Sequence, residues 1–212
     1  MYENILDIQK KHKKAAKTVL ERLLEEKHEK FIVAVSGEVG TGKAEVAHSL
    51  GRKLRKRNIH CKILHLENYY LVDPLKRLEW REKHGIEAVG LDEINWPKLQ
   101  SNIRDFADGS RAVLPLVDII SGQTDELHTD FKTIDVLIIA GLYAIKLEEA
   151  ELKVFIELTY KQTMDEQIAS EKEEMNEFRM KVLEREHEVV QSLKNKANFY
   201  VDFDTSMELF HL

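Results

Sequence analysis

Apolar residues in this chain fall into two patterns, short unbroken runs and stretches of helical period, and their order predicts the architecture. Between residues 2 and 30, Ile5, Ile8, Ala15, Val19, Leu20, Leu23 and Leu24 recur at roughly helical spacing among lysines and glutamates, predicting a long amphipathic helix. The next run, Phe31-Ile32-Val33-Ala34-Val35, is continuously apolar and largely β-branched, as suits a strand buried on both faces of a parallel sheet. A helix follows directly. Its inner face is marked by Val46, Ala47, Leu50 and Leu54, and Arg52, Lys53, Arg55, Lys56 and Arg57 enrich its C-terminal end, where positive charge suits the helix dipole. Asn58 closes it, and residues 61–66 read as a second strand that completes a βαβ unit.

Residues 71–90 form a mixed, charged segment around Trp80 that reads as a cover over a site. Pro97 sits in the first turn of a helix over residues 98–107, which Gly109 ends. Further strands are expected at 111–116, 136–139, 153–158 and 197–203. Residues 162–194 return to helical period, with Met175, Phe178, Val182, Val189 and Leu193 on one side. Four or five strand runs separated by helices predict an α/β protein with a doubly wound, mostly parallel sheet. Residues 1–30 are then an N-terminal helical extension, and residues 31–212 one domain.

Composition narrows the function. A chain of 212 residues builds one sizeable core, and hydrophobic and charged fractions of 43% and 33% describe an ordinary soluble protein. A net charge of -6 argues against nucleic-acid binding through a broad basic surface and favours a small-molecule partner. The lysine run Lys10, Lys11, Lys13, Lys14 and Lys17 reads as a solvated helix face rather than a phosphate dock. With Cys61 the only cysteine, no intrachain disulfide forms and a reducing compartment is expected. The N-terminal residues lack a signal-peptide pattern, and no apolar run nears the ~20 residues that span a bilayer. The expected location is cytoplasmic, without a membrane partner; a homo-oligomer is left open.

The chemistry centres on Ser36-Gly37-Glu38-Val39-Gly40-Thr41-Gly42-Lys43. Consecutive backbone amides in a glycine-permitted turn, at the positive end of a helix, surround a phosphate chain. Gly37 and Gly42 stand at the spacing of the G-x-x-x-x-G-K pattern, Lys43 reaches toward the β and γ phosphates, and the flanking strand and helix supply the required context. The expected nucleotide contacts are Gly37, Glu38, Val39, Gly40, Thr41, Gly42, Lys43 and Ala44. A dinucleotide fingerprint is excluded because Glu45 occupies the place of its third glycine. Ala44 stands where a serine or threonine hydroxyl would bind magnesium. Ala140 stands where such sheets carry a metal-supporting acid, and Asp135 lies at the other end of that strand, roughly 16 Å away at ~3.3 Å per residue. The expected cation is therefore held through phosphates and water, with no protein ligand.

Taken in order, the turn, Leu66-Glu67-Asn68-Tyr69-Tyr70, Gly90-Leu91-Asp92-Glu93-Ile94-Asn95-Trp96, Leu114-Pro115-Leu116-Val117-Asp118 and residues 136–141 resemble the uridine kinase and phosphoribulokinase branch of P-loop kinases. The resemblance implies a kinase that uses Mg·ATP to phosphorylate a hydroxyl of a small metabolite, on a doubly wound sheet with a lid helix, here at about 162–194. It implies Glu67 as general base in place of the usual aspartate, with Tyr69 and Asp118 on the acceptor. It implies Arg179 and Arg185 over the phosphates, although Glu177, Glu184, Glu186 and Glu188 offer these cations surface ion pairs instead. Val117 and Gly122 stand where uridine kinases carry an aromatic residue and a histidine. Trp80 and Trp96 are expected to pack rather than to stack on a base. His60, His65 and His187 form no zinc-like set. Two functions remain: an active kinase, or a catalytically weakened nucleotide-binding relative with a regulatory or structural role.

Overall fold

The computed structural model describes residues 6–169 and 175–203. Strands β1 (Phe31–Gly37), β2 (Cys61–His65), β5 (Val136–Ala140), β6 (Leu152–Ile156) and β7 (Phe199–Val201) form a parallel sheet in the order β2-β5-β1-β6-β7. The run that opens the domain is thus the central strand, paired on both sides, and every residue of β1, β5 and β6 is buried.

Strand alternation sorts these residues into two cores. Phe31, Val33 and Val35, with Val136, Ile138 and Val154, face helices α1 (Lys10–Glu26) and α2 (Lys43–Arg55). Ile32 and Ala34, with Leu137, Ile139 and Phe155, face α4 (Trp96–Ala107) and α6 (Glu177–Leu193). The α/β doubly wound architecture with its N-terminal helix is therefore as expected. No described helix is long and apolar enough to cross a membrane.

Four boundaries depart from the sequence expectation. Helix α1 starts at Lys10, behind a cap in which the Gln9 amide donates to His12 Nδ1; residues 1–5 of the expected helix lie outside those described. Residues 71–90 contain helix α3 (Pro74–His84), capped by Asp73 and ended by Gly85 at φ +84°. Helical period failed to reveal α3 because its leucines, Leu75 and Leu78, face solvent and its buried residue is Arg81. Strand β3 (Arg111–Val117) leaves the main sheet and forms an antiparallel hairpin with β4 (Thr124–Asp130), whose polar residues gave no strand pattern. The expected lid helix is two helices, α5 (Met164–Ala169) and α6, the latter capped by the Asn176 side chain; residues 170–174 between them lie outside those described.

Phe106 on α4 is fully buried and meets Phe131 edge-on, ring centroids 5.6 Å apart. Phe106→Ala should lower unfolding free energy by about 3–5 kcal/mol. Urea denaturation would register this as a lower midpoint at unchanged slope.

Candidate functional site

Strand β1 delivers the glycine turn to the carboxyl edge of the sheet, where open α/β folds bind ligands. Gly40 and Gly42 take φ of +77° and +81°, a region that disfavours a side chain. Gly42 is also the cap of α2 and has no side chain to donate an acceptor. Among the described residues, none accepts from the amides of Gly40, Gly42, Lys43 or Ala44. These groups sit at the positive end of α2, an arrangement suited to phosphate oxygens.

Two contacts hold the turn in this shape. The half-buried Lys43 folds back so that its Nζ donates to the Glu38 carbonyl at 2.6 Å, and the Thr41 hydroxyl donates to the same oxygen at 2.9 Å. The Glu38 side chain, 1% exposed, points the other way. Its carboxylate accepts from the Tyr160 amide at 2.7 Å and Gln191 Nε2 at 2.6 Å, and lies 2.8 Å from His187 Nδ1. A buried carboxylate is tolerated only when so satisfied. Gln191 and His187 lie on α6, so Glu38 fastens the turn to the lid. A further brace comes from Thr163, whose hydroxyl donates to the Val39 carbonyl at 3.0 Å and leaves no room for a Cβ at Gly40.

Lys43 is held below its ordinary pKa by burial, opposed by the charges of Glu67 and then Glu45. Glu67 is exposed at the start of the short turn after β2, and it is the carboxylate that acts most strongly on this lysine. Tyr69 points into the core, its hydroxyl donating to Asn102 Oδ1 at 3.1 Å, whereas the Tyr70 ring lies under the Arg77 guanidinium at 3.7 Å. Asp118 sits at the exposed tip of the β3–β4 hairpin, where its carboxylate accepts from the Ile120 amide at 2.8 Å; that bond holds its pKa down. The Tyr69 hydroxyl and the Asp118 carboxylate are thus engaged within the fold.

Both expected lid cations are engaged with carboxylates. Arg179 is buried, with Nη1 3.6 Å from Glu186, and Arg185 lies between Glu87 at 3.4 Å and Glu188 at 3.0 Å. Glu186 also pairs at 3.0 Å with Arg81, which grips Glu93 through two bonds of 2.7 and 2.9 Å. Burial works against the Arg81 charge, but the Glu93 bond and the Glu186 charge outweigh it and raise its pKa. This network joins α6 to α3. Beside it the fully buried Tyr143 hydroxyl has no hydrogen-bond partner among the described residues.

Neither position expected to support a cation offers it a ligand. Ala140 is buried in the apolar core, Ala44 offers a methyl group, and no described set of three His, Cys, Asp or Glu side chains converges. His48 and His65 pair at 3.1 Å, Trp80 stacks on His84, and Trp96 donates to the Leu91 carbonyl, all packing contacts. The sequence reading counted Glu38 among the nucleotide contacts and missed both Arg81 and the fastening of the Glu38 side chain to Tyr160, His187 and Gln191. Only the pattern of a carboxylate inside a phosphate turn hinted at it, since the partners lie 122 to 153 residues away.

The model of the phosphoribulokinase / uridine kinase family matches residues 32–174. A uridine kinase of Mycoplasma genitalium is 32% identical over 131 residues, 60% of each chain. A uridine kinase of Staphylococcus aureus is 26% identical over 115 residues, 54% of each. The chain therefore matches little more than half the length of these curated relatives. A solved structure described as a possible uridine kinase from Bacillus stearothermophilus superposes with a TM-score of 0.64 at 17% identity, covering 89% of this chain and 98% of that one, and it establishes the fold alone.

Glu38→Gln turns one acceptor oxygen into a donor facing another donor, and should destabilise the protein by about 1–3 kcal/mol in denaturant titration. A second expectation concerns pH. Burial lowers the pKa of His12, which packs against Gly42, below 6.5. The unfolded chain then takes up this proton first, so stability is complete above pH 6.5 and is lost as pH falls from there through the folded value. Melting curves across that window should show wild type losing stability relative to His12→Asn as the pH drops.

Proposed function

The chain belongs to the phosphoribulokinase / uridine kinase family, and from that premise we propose that it is an ATP-dependent small-molecule kinase whose acceptor is a hydroxyl of a nucleoside-like metabolite. The observation that carries the reading is the set of amides of Gly40, Gly42, Lys43 and Ala44 that no described residue accepts from, backed by Lys43, whose charge Glu67 supports. The turn would hold the triphosphate, with Lys43 exchanging its carbonyl partner for phosphate oxygen. The acceptor oxygen attacks the γ phosphorus, the bond from that phosphorus to the bridging oxygen breaks, ADP leaves, and the acceptor proton passes to the Glu67 carboxylate. The nucleoside class is favoured because the curated relatives are named uridine kinases. Tyr70 and Arg77 would be the groups offered to the acceptor; Tyr69 and Asp118 would act through the fold around it.

In this family a magnesium ion carried by ATP supplies charge neutralisation when bound. Ala44 and Ala140 give it no side-chain ligand, so phosphates and water would hold it. The same two methyl groups, together with Arg179 and Arg185 locked to carboxylates, favour a second reading: a catalytically weakened relative that keeps nucleotide for a regulatory or structural purpose. Both readings place the protein in a reducing cytoplasm with ATP as ligand.

ATP should raise the melting temperature, by a stabilisation of about 2.7 kcal/mol at a hundredfold excess over Kd, and Lys43→Ala should remove the effect. An unchanged melt with and without magnesium overturns both readings. ADP release across nucleosides, glycerate, pantothenate and sugar phosphates separates them. Turnover that rises in the Ala44→Thr, Ala140→Glu double variant identifies a kinase limited by its metal site; silence in both proteins with ATP still bound leaves the binding role.

A further inference from the structure

Strand β4 is one edge of the two-stranded β3–β4 sheet, and six of its seven residues are exposed. The ladder with β3 fixes which of its backbone groups look outward. The Phe131 amide donates to the Ser110 carbonyl at 3.1 Å and the Asp118 amide to the Gln123 carbonyl at 2.8 Å, so within β4 the odd-numbered residues bond to β3. Pro115, which has no N–H, stands opposite Glu126, as that alternation requires. Thr124, Glu126, His128 and Asp130 therefore turn N–H and C=O away from β3, and no described residue bonds to the outward groups of Glu126 or His128. The other edge, along β3, is covered: Asn102 Nδ2 donates to the Val113 carbonyl at 3.2 Å, and the Val117 amide donates to Asn68 Oδ1 at 3.2 Å. On the face that carries Leu114, Leu127 is 38% exposed and its diagonal neighbour Leu116 is 46% exposed.

An unpaired edge strand is a template for another strand. The sequence of β4, Thr-Asp-Glu-Leu-His-Thr-Asp, is complementary to itself when run antiparallel. With Leu127 on a two-fold axis, Glu126 faces the partner's His128, Asp125 faces the partner's Thr129 and Thr124 faces the partner's Asp130, so no carboxylate meets a carboxylate. Glu126 and His128 are also the residues whose backbone groups look outward, so the same register closes the ladder. Sliding by two residues sets Glu126 against the partner's Glu126 or the partner's Asp130, and sliding by one sets outward groups against groups already bonded to β3. We propose that two copies of this chain associate edge to edge through β4, forming a four-stranded antiparallel sheet with Leu127 at its centre. Such a contact uses the same patch on both copies and closes on itself. The two Leu127 side chains meet as a non-hydrogen-bonded pair, the more closely spaced kind. Through β3 and its bond to Asn68, the interface connects to the neighbouring Glu67. The proposal stands independently of the nucleotide reading.

The test is analytical ultracentrifugation of the full chain across the micromolar range, with circular dichroism recorded for each variant to confirm the fold. Wild type should sediment as a dimer at the upper end of that range. His128→Glu sets carboxylate against carboxylate twice across the axis and should weaken the dimer about tenfold. Adding Glu126→Lys to that variant restores opposite charges and should return the dimer to near wild-type strength. Amide hydrogen exchange supplies a second readout: the Glu126 and His128 amides should slow as protein concentration rises, while the Leu127 amide, already bonded to β3, stays unchanged. A wild type that remains monomeric overturns the proposal. So does a dimer that His128→Glu leaves intact, which would place the contact on another surface, or a double variant no stronger than His128→Glu alone. Exchange at Glu126 and His128 that ignores protein concentration overturns it as well.

Discussion

A carboxylate buried inside a phosphate turn is the constraint on which the rest of this site depends. Glu38 has lost almost all contact with water, so its carboxylate is tolerated there only while Tyr160, His187 and Gln191 remain in place. Those partners belong to the segment after β6 and to α6. The turn is therefore not an independent loop. Its shape, the docking of α6 and the closure of α6 on α3 through Glu186 and Arg81 are parts of one polar assembly. The amide row at the start of α2 is already arranged before any ligand arrives, because Lys43 and Thr41 both bond to the Glu38 carbonyl from inside the turn. Such preorganisation removes ordering costs from binding.

The same assembly accounts for what the lid does with its cations. Arg179 and Arg185 are far apart in role from arginines free to reach a transferring phosphoryl group, since each is neutralised by neighbouring carboxylates. With Ala44 and Ala140 apolar, the charge of phosphates bound there would be left to Lys43, the amides and whatever cation the nucleotide brings. On the proposed reading such a site would depend on few protein charges for chemistry, and the kinase and binding-only readings share a ligand and differ in turnover.

Much of the fold was legible in sequence because it rests on local signals. Phe31 to Val35 is apolar at every position, and the structure puts it in the middle of the sheet with both faces covered. Pro97 and Gly109 bracket α4 as their backbone preferences dictate, with Gly109 at φ +63°. The glycine turn was legible for the same reason, since left-handed backbone at Gly40 and Gly42 is a local demand. What escaped was non-local. Helix α3 is held by Arg81 reaching Glu93 and Glu186 rather than by an apolar stripe, and β4 is a strand only because β3 lies beside it. Tyr69 stood in a family-like motif as an acceptor contact, yet its hydroxyl is bound to Asn102, a partner that no spacing in the chain announces.

The most direct measurement of the central claim is the backbone amide NMR spectrum of the protein as ATP is added. Amide protons of Gly40, Gly42, Lys43 and Ala44 should move together to lower field as they gain phosphate acceptors, while Tyr160, bonded to Glu38, stays where it is. ATP that shifts other amides and leaves these four unmoved would contradict the account.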